Sequence, residues 1–244
     1  MIRRVARAVR RAVVASPPDY RQLLFEDLLE YVGGRRPGRV LEIGPKDGLD
    51  TRRLLSLEPA HLTLVDLPRL EASNRAWLDA IGSPKIEYLS ANVMYSRAVT
   101  ELPPYDLVWC TGVLYHNPEQ LRMVRRLHDL LVPGGVLVLE SATTRNPRLR
   151  TAKCVEIVYP PSEALKRKYH ISANISHLPS AQAIASWMAM VGLERITPSA
   201  CHRRVSRALG HARAAFLGTR PATPRAGVYY ALGDGDGYEI GRSL

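Results

Sequence analysis

Two acidic residues stand in two apolar stretches, and their spacing suits the binding of a nucleoside. Glu42 lies in the stretch RVLEIG, and Asp66 ends the stretch HLTLVD. Asp66 follows Gly44 by 22 positions, close to the roughly 20-residue spacing at which an acid accepts hydrogen bonds from ribose hydroxyls. Gly44 permits a tight backbone turn, and Gly48 permits the close approach of a helix to the strand. These residues predict a ligand-binding loop between a strand and a helix.

The acid at position 42 narrows the choice of nucleoside. A buried carboxylate is costly unless it meets positive or hydrogen-donating groups, so it repels a pyrophosphate and attracts a cation. S-adenosylmethionine, an adenosine compound with a sulfonium and an ammonium group, has the required chemistry. Alone, the pattern E-x-G-x-x-x-G also fits an ordinary turn between a strand and a helix. Together with Asp66 and the alternation of strands and helices, it predicts a cofactor site. Lys46 stands where such turns usually carry a glycine, and we expect its side chain to point to solvent.

Strand and helix patterns alternate along the chain as far as residue 140. This alternation predicts an α/β fold in which helices cover both faces of a parallel sheet. The pattern then continues with one more helix and two more strands. The predicted strands are 39–44, 61–66, 86–89, 105–112, 136–140, 193–197 and 227–232, and the predicted helices are 19–32, one that ends near 57, 70–81, 119–131 and 180–192.

The domain prediction follows from where this alternation begins, breaks and ends. Residues 1–36 form a basic N-terminal helical segment, 37–232 form the main domain, and 233–244 form a flexible tail. Within the domain, 141–178 is a long stretch of mixed character, which is typical of a lid or a substrate-binding segment. The first 16 residues contain five arginines among valines at helical spacing. Such a helix suits contact with anionic lipid or RNA, a targeting role, or packing on the domain with a solvated basic face.

Composition sets further limits. The 244 residues include 34 basic and 23 acidic ones, a net charge of +11, which fits an RNA, phosphate or membrane partner or, equally, a compositional bias. No apolar run approaches the roughly 20 residues of a membrane span. The three cysteines are far apart, so no disulfide framework or metal site is predicted and a cytoplasmic location is expected.

Several other residues are candidates for the site. Leu67, Asn92, Val93, Thr111 and Tyr115 follow or end predicted strands and are expected to bind the cofactor; Asn92 suits either an adenine edge or a turn. His116 is a candidate general base, or a structural histidine that supports its loop. Tyr115 packs near the cofactor or orients the acceptor. Arginines at 203–213 suit either a phosphate or a solvated helix. The candidates for acceptor binding in and after the 141–178 segment are Tyr169, His170, Asn174, His177 and Arg225.

Three stretches carry a resemblance to a known family. They are 111–141 (TGVLYHNPEQLRMVRRLHDLLVPGGVLVLES), 178–196 and 221–231. The chain resembles the class I S-adenosylmethionine-dependent methyltransferases and, more narrowly, the tRNA wobble-uridine carboxymethyltransferase family. The resemblance implies a Rossmann-like, doubly wound, seven-stranded and mostly parallel sheet whose last strand is antiparallel. It also implies that Tyr115 and Arg225 match positions that face the carboxylate of a carboxylated cofactor. The chain departs from the family at Asn117, where the family has arginine, and it shows no match to the family's lysine-bearing N-terminal region.

These observations lead to one expected function and two alternatives. We expect a cytoplasmic methyltransferase that moves a methyl group from ordinary S-adenosylmethionine to an oxygen or nitrogen of a small molecule or glycoside. The first alternative is a tRNA-modifying (carboxy)methyltransferase. The second is a non-catalytic protein that binds the cofactor. The basic N-terminal segment leaves open a peripheral contact with a membrane.

Overall fold

The computed structural model describes residues 19–159, 175–203 and 212–223. One seven-stranded sheet has the strand order β3-β2-β1-β4-β5-β9-β8, and β6 and β7 form a separate pair. Helices α1 to α6 flank the large sheet. The elements are α1 Tyr20–Val32, β1 Arg39–Ile43, α2 Leu49–Leu55, β2 His61–Asp66, a 3-10 turn Pro68–Leu70, α3 Glu71–Ile81, β3 Ile86–Ser90, α4 Arg97–Thr100, β4 Tyr105–Thr111, a 3-10 turn Leu114–His116, α5 Gln120–Asp129, β5 Leu131–Ala142, β6 Val155–Val158, β7 Ser176–Pro179, α6 Ala181–Met190, β8 Glu194–Pro198 and β9 Arg213–Thr219.

The large sheet confirms the predicted fold class. The first five strands pair in parallel, from β3 through β2, β1 and β4 to β5. β9 is antiparallel to both β5 and β8, so six strands run in one direction and β9 runs in the other. The buried strands are nearly continuous apolar runs, as parallel strands covered on both faces must be.

The identity of the last strand differs from the sequence prediction. The predicted strand 227–232 lies outside the described residues. The antiparallel strand of the sheet is Arg213–Thr219, of which the sequence analysis placed only Arg213 in an arginine-rich stretch and left 214–219 unassigned. Its apolar signal is weak because two alanines and a glycine surround Phe216 and Leu217. Pairing with β5 on one side and β8 on the other buries these two large side chains.

The helices divide between the two faces of the sheet. On one face, α1, α2 and α3 pack against apolar side chains of the central strands. On the other face, α4, α5 and α6 do the same. Asp19 caps α1 by accepting from the backbone N–H of Arg21, and Gly33 ends the helix in the left-handed conformation. Leu24 and Leu28 of α1 are fully buried, so this helix is part of the core, while the domain boundary at residue 36 stays a prediction.

Regular structure occupies part of the segment 141–178. β5 extends to Ala142, and β6 pairs with β7 in an antiparallel ribbon. β7 also contacts the turn Leu114–His116. It leads directly into α6, whose cap Ser180 accepts from the backbone N–H of Ala183. Across the described ranges, no helix combines the length and the apolar character needed to cross a membrane.

Candidate cofactor and active site

The candidate site lies at the carboxyl ends of the central strands. β1 lies between β2 and β4 in the sheet. The chain runs from β1 to β2 on one side, whereas β4 and β5 lie on the other side. This change of direction is the topological switch point at which open α/β sheets bind ligands. The loops after β1, β2 and β4 therefore surround one cleft.

The loop after β1 depends on two glycines. Gly44 and Gly48 have φ angles of 73° and 72°, a conformation that glycine adopts without strain. A Cβ atom at Gly44 would lie 2.6 Å from Cγ2 of Val113, and one at Gly48 would lie 2.4 Å from Cε3 of Trp77. The close neighbour of Gly48 is thus Trp77 of α3, whereas the sequence analysis expected the strand.

Lys46 occupies a third left-handed position in the same loop. Its φ is 55°, which strains a residue with a Cβ atom. The backbone oxygen of Lys46 accepts a hydrogen bond from Nε1 of Trp77 at 3.1 Å. Its side chain is exposed, as expected. The contact with Trp77 holds the loop in place despite the missing glycine.

Glu42 is buried with little positive charge around it. Its Oε2 accepts a hydrogen bond from the Thr51 hydroxyl at 2.7 Å. Burial raises the pKa of Glu42 to about 8, and the nearby carboxylate of Asp50 acts in the same direction, while Thr51 and Arg21 only partly offset them. A ligand with a cationic group would supply the missing compensation.

Asp50, at the start of α2, was missed by the sequence analysis. Its buried carboxylate accepts hydrogen bonds from Nε1 of Trp109 and the hydroxyl of Thr111, both at 3.1 Å, and from Nη1 of Arg53 at 2.7 Å. Arg21 lies 3.6 Å away. The sequence signal that could have identified Asp50 is its position in the first turn of a predicted helix, where the helix dipole favours an acidic residue. The hydroxyl of Thr111, predicted to face the cofactor, is engaged by this network.

Asp66 ends β2 beside the tip of β1. Its Oδ1 accepts from the backbone N–H of Leu67 at 2.8 Å, and its Oδ2 accepts from Nδ2 of Asn74 at 3.0 Å. β1 and β2 are aligned with Glu42 opposite Leu64. Because side chains alternate along a strand, Glu42, Leu64 and Asp66 lie on the same face of the sheet. The two predicted carboxylates thus stand at adjacent strand tips, and each Asp66 oxygen retains a lone pair.

Asn92 and Val93 lie in the loop after β3. Oδ1 of Asn92 accepts from the backbone N–H of Met94 at 2.8 Å. This bond makes Asn92 a turn residue and leaves its amide NH2 group as the part suited to an adenine edge. Val93 is buried nearby in the core.

Tyr115 and His116 form the 3-10 turn after β4, with their rings 4.0 Å apart. His116 is exposed on one side. Surrounding protein atoms and then the positive charges of Arg213 and Arg69 lower its pKa to about 4. The imidazole is therefore neutral at pH 7. Arg213 also lies over the Tyr115 ring, 5.6 Å from its centroid.

Glu140, at the end of β5, anchors this side of the cleft and was also missed. It accepts a hydrogen bond from the backbone N–H of Gly112 at 2.9 Å and two from Arg213, of which the one from Nη2 measures 2.8 Å. Nε2 of His202 lies 3.2 Å away. Burial alone would raise the pKa of Glu140, but Arg213 and His202 overcome it and lower the pKa to about 2. Arg213 is thus held in a buried ion pair on β9, so the prediction of a solvated helix is wrong for it, and phosphate binding stays a prediction.

The predicted acceptor-binding residues are only partly placed. His177 lies on β7, and its backbone oxygen accepts a hydrogen bond from Nε2 of Gln120 at 2.6 Å. This contact brings β7 against the loop that carries Tyr115 and His116. Tyr169, His170, Asn174 and Arg225 lie outside the described residues.

The residues of the cleft fit a cationic adenosine cofactor. Glu42 is a buried carboxyl without a full countercharge, and Asp66 has accepting capacity suited to ribose hydroxyls. The turn at Gly44 and Gly48 directly follows β1, at the carboxyl edge of the sheet. In the described part of the chain, no group of three or more histidine, cysteine, aspartate or glutamate side chains could hold a metal ion.

Comparisons with known proteins agree with this geometry. The sequence profile of a family described as "Methyltransferase domain" matches residues 19–197. A tRNA U34 carboxymethyltransferase from Chromohalobacter salexigens is 28% identical over 196 residues, which cover 76% of this chain and 55% of that protein. A protein with the same name from Desulforapulum autotrophicum is 31% identical over 167 residues, covering 65% of this chain and 45% of its own. The chain spans about half the length of the curated relatives it matches.

Solved structures share the fold at lower identity. An O-methyltransferase family protein from Burkholderia thailandensis has a TM-score of 0.60 and 19% identity, covering 82% of this chain and 56% of its own. A 1,6-didemethyltoxoflavin-N1-methyltransferase from the same organism, bound to S-adenosylhomocysteine, has a TM-score of 0.60 and 16% identity, covering 86% and 82%. The profile match extends over most of the sequence and includes the glycine turn and both strand-tip acids. The chain therefore belongs to the methyltransferase-domain family, whose methyl donor is S-adenosylmethionine.

Proposed function

We propose that the chain transfers a methyl group from S-adenosylmethionine to an oxygen or nitrogen atom of a small molecule or glycoside. The observation that carries this proposal is the pair of carboxyls at adjacent strand tips. Glu42 lacks a full countercharge and Asp66 retains accepting capacity. Their chemistry suits the ammonium group and the ribose of the cofactor.

When bound, S-adenosylmethionine supplies a methyl group on a sulfonium, which leaves as a neutral thioether. The protein must mainly align the acceptor with this methyl group and exclude water. Glu42 and Asp66 hold the ammonium group and the ribose of the cofactor, and the amide of Asn92 suits the adenine edge. Tyr115, on the turn after β4, orients the acceptor at the other side of the cleft.

His116 suits a modest role in proton transfer. With a pKa of about 4, its ring is uncharged at neutral pH and is free to accept a proton. The same low pKa makes it a weak base. It is therefore suited to receive the proton of an acceptor that loses it late in the reaction, after the new bond to carbon has begun to form.

The ion pair between Arg213 and Glu140 favours the transfer of a methyl group over the transfer of a carboxymethyl group. A carboxylated donor needs a cation near the reacting group. Within the described ranges, the guanidinium beside Tyr115 is Arg213, and Glu140 already neutralises it through two hydrogen bonds. An added carboxylate would have to compete with a buried partner for the same group.

A tRNA substrate is the second candidate. It is favoured by the names of the curated relatives and by the net charge of +11. Incubation with methyl-labelled cofactor separates the two, using total tRNA in one reaction and a panel of glycosides and amines in another. We expect label in the small-molecule reaction. Label in tRNA alone would overturn the proposal.

The cellular setting is also a proposal. We place the enzyme in the cytoplasm, which is supported by three free thiols at Cys110, Cys154 and Cys201. The predicted contact of the basic N-terminal helix with lipid or RNA concerns residues 1–18, which lie outside the described residues. Both stay predictions.

A further inference from the structure

A largely buried arginine at the start of β9 contacts two tyrosine rings from distant parts of the chain. Cζ of Arg213 lies 5.7 Å from the ring centroid of Tyr20, the first residue of α1, and 5.6 Å from that of Tyr115. Both distances lie within the range of about 6 Å over which a cation is attracted to an aromatic face. One guanidinium therefore joins α1 to the turn after β4.

The ring contacts continue beyond each tyrosine. The ring of His202 lies 4.7 Å from that of Tyr20, and the ring of His116 lies 4.0 Å from that of Tyr115. We call His202, Tyr20, Arg213, Tyr115 and His116 the ring cluster. Because each member contacts the next, the cluster leads from α1 to the imidazole to which the proposed function gives a part in proton transfer.

Arg213 can hold two rings because its ion pair uses only the edge of the guanidinium. Nε and Nη2 of Arg213 donate to the carboxylate of Glu140. These donors lie in the plane of the guanidinium, whereas aromatic rings stack on the faces of that plane. The ion pair therefore fixes Arg213 as a support and leaves its faces available for Tyr20 and Tyr115.

The turn that carries Tyr115 and His116 needs support from outside. It has only three residues, Leu114–His116, and no side-chain cap. The hydrogen-bond geometry of short 3-10 turns is poor, so packing must set their position. Leu114 is fully buried and anchors the turn in the core, but Tyr115 is only half-buried and His116 is exposed. The contacts with Arg213 are therefore important for the position of these two side chains.

Tyr20 is itself fixed by its neighbour on α1. Nε of Arg21 donates to the Tyr20 hydroxyl at 3.3 Å, and Nη1 of Arg21 lies 3.6 Å from Oδ2 of Asp50. Asp50 accepts in turn from the hydroxyl of Thr111, the last residue of β4. The start of α1 is thus joined to the sheet, and this arrangement places the Tyr20 ring against Arg213.

We propose that Tyr20 is a positioning residue that acts through Arg213 to hold Tyr115 and His116 at the acceptor side of the cleft. This inference rests on the proposed function for the roles of Tyr115 and His116, and it goes further by giving α1 a part in the reaction. The aromatic face of Tyr20 carries the interaction. Phenylalanine should therefore replace it, and an aliphatic side chain should not.

Three variants separate the ring from other properties of these side chains. Tyr20→Leu keeps an apolar side chain but removes the ring, and Tyr20→Phe keeps the ring but removes the hydroxyl. Arg213→Lys keeps the positive charge beside Glu140 but removes the planar guanidinium. The matched control is Tyr31→Leu. Tyr31 lies near the other end of α1, and its ring also contacts an arginine, with Cζ of Arg195 4.8 Å from the ring centroid.

The measurement is the titration of His116, followed by NMR in protein with isotope-labelled histidine. The spectrum of His116→Gln identifies its signal. Surrounding protein atoms, Arg213 and Arg69 lower the pKa of His116 to about 4. If the turn loosens, the imidazole becomes more hydrated and moves away from these charges, so its pKa should rise toward about 6.5, the value of an unperturbed histidine.

We expect this rise in Tyr20→Leu and in Arg213→Lys. The charge beside the turn is unchanged in both variants, so the rise reports a change of position. Tyr20→Phe should keep the wild-type pKa of His116. Tyr31→Leu should keep it as well, although it loses two hydrogen bonds, to the backbone oxygen of Arg195 and to the hydroxyl of Thr219, and is expected to be less stable.

The outcomes that overturn the inference are distinct from those that overturn the proposed function. An unchanged pKa of His116 in Tyr20→Leu would overturn the inference, and so would an equal rise in Tyr31→Leu or in Tyr20→Phe. If Tyr20→Leu does not fold, Arg213→Lys decides in the same way. Calorimetry with S-adenosylhomocysteine tests the proposed function separately. If the wild type does not bind it, that function fails, while the titration, which needs no ligand, still decides whether Tyr20 positions the turn.

Discussion

Two glutamates on opposite sides of the cleft are both buried, but they differ in their partners and in the direction in which their pKa values are shifted. Glu42 and Glu140 are 1% and 0% exposed. Burial raises the pKa of Glu42 to about 8, because its main partner is the neutral Thr51. Burial acts in the same direction on Glu140, but the guanidinium of Arg213 lowers its pKa to about 2. Both side chains lie near the carboxyl ends of parallel strands.

We propose that the contrast separates a carboxyl that serves a ligand, Glu42, from one that serves the fold, Glu140. Glu140 is paired with Arg213 of the same chain and joins β5 to β9 and to Gly112, which follows β4. Among the described residues, no cation forms an ion pair with Glu42, and its pKa of about 8 favours the protonated carboxyl at pH 7. The cofactor side of the cleft is therefore incomplete without its ligand, while the opposite side is complete by itself.

The largest predicted effect comes from breaking the Glu140 pair. Glu140→Gln leaves the Arg213 cation buried and uncompensated, which should lower the free energy of unfolding by about 3–5 kcal/mol. Urea unfolding at pH 7 measures it. The double variant Glu140→Leu with Arg213→Met should recover most of the loss. Glu42→Gln should lose little or gain, since it removes a desolvated acid. Equal losses for the two single glutamine variants would contradict the comparison.

Next in size is the effect of Asp66 on cofactor binding. Asp66→Ala removes the acceptor assigned to the ribose hydroxyls, and we expect the affinity for S-adenosylhomocysteine to fall about 10- to 100-fold, as for hydrogen bonds to a charged group. Calorimetry measures the affinity, and circular dichroism checks that the fold survives. Asp79→Ala, at an exposed position of α3, is the control. Unchanged affinity for Asp66→Ala would remove Asp66 from the site.

The residues on the cofactor side of the cleft could be predicted from the sequence. Glu42 and Asp66 follow the strand pattern, and adjacent parallel strands bring their ends to the same edge of the sheet. The glycine turn has a local sequence signature as well. These features depend on residues close together in the chain, so pattern and spacing were enough to find them.

The contacts on the Glu140 side of the cleft could not be predicted from the sequence, because they join residues that are far apart in the chain. Glu140 was the last residue of a predicted apolar strand, and its partner Arg213 lies 73 positions later. That arginine begins β9, a strand whose two alanines and glycine weaken its pattern. The hydrogen bond from Gln120 to the backbone oxygen of His177 on β7 likewise joins two distant segments. Long-range pairing, rather than local propensity, decides these contacts.

A further effect is the opposite pH dependence of the two glutamates. Glu140 has a lowered pKa, so its stabilising contribution is present above about 4.5 and is lost as the pH falls toward 2. Glu42 has a raised pKa, so it reduces stability as the pH rises from about 4.5 toward 8. Stability of the wild type minus that of Glu42→Gln should therefore decline over this upper range. A difference that does not change with pH would contradict the raised pKa.

The smallest predicted effect concerns Lys46. Lys46→Gly relieves a left-handed φ of 55° and should stabilise the protein by up to about 1 kcal/mol. Lys46→Ala is the control, because it removes the charge but keeps the Cβ atom, and it should show no such gain. Thermal unfolding compares the two. A gain of equal size in both variants would mean that charge, and not backbone strain, is the cause.

The central claim is that Glu42 is protonated in the free enzyme and ionises to meet the cation of the cofactor. The direct measurement is the number of protons released when S-adenosylhomocysteine binds, by calorimetry at pH 7 in two buffers of different ionisation enthalpy. A pKa of about 8 predicts the release of about 0.9 proton for the wild type and none for Glu42→Gln. Binding without proton release, or equal release by both proteins, would contradict the claim.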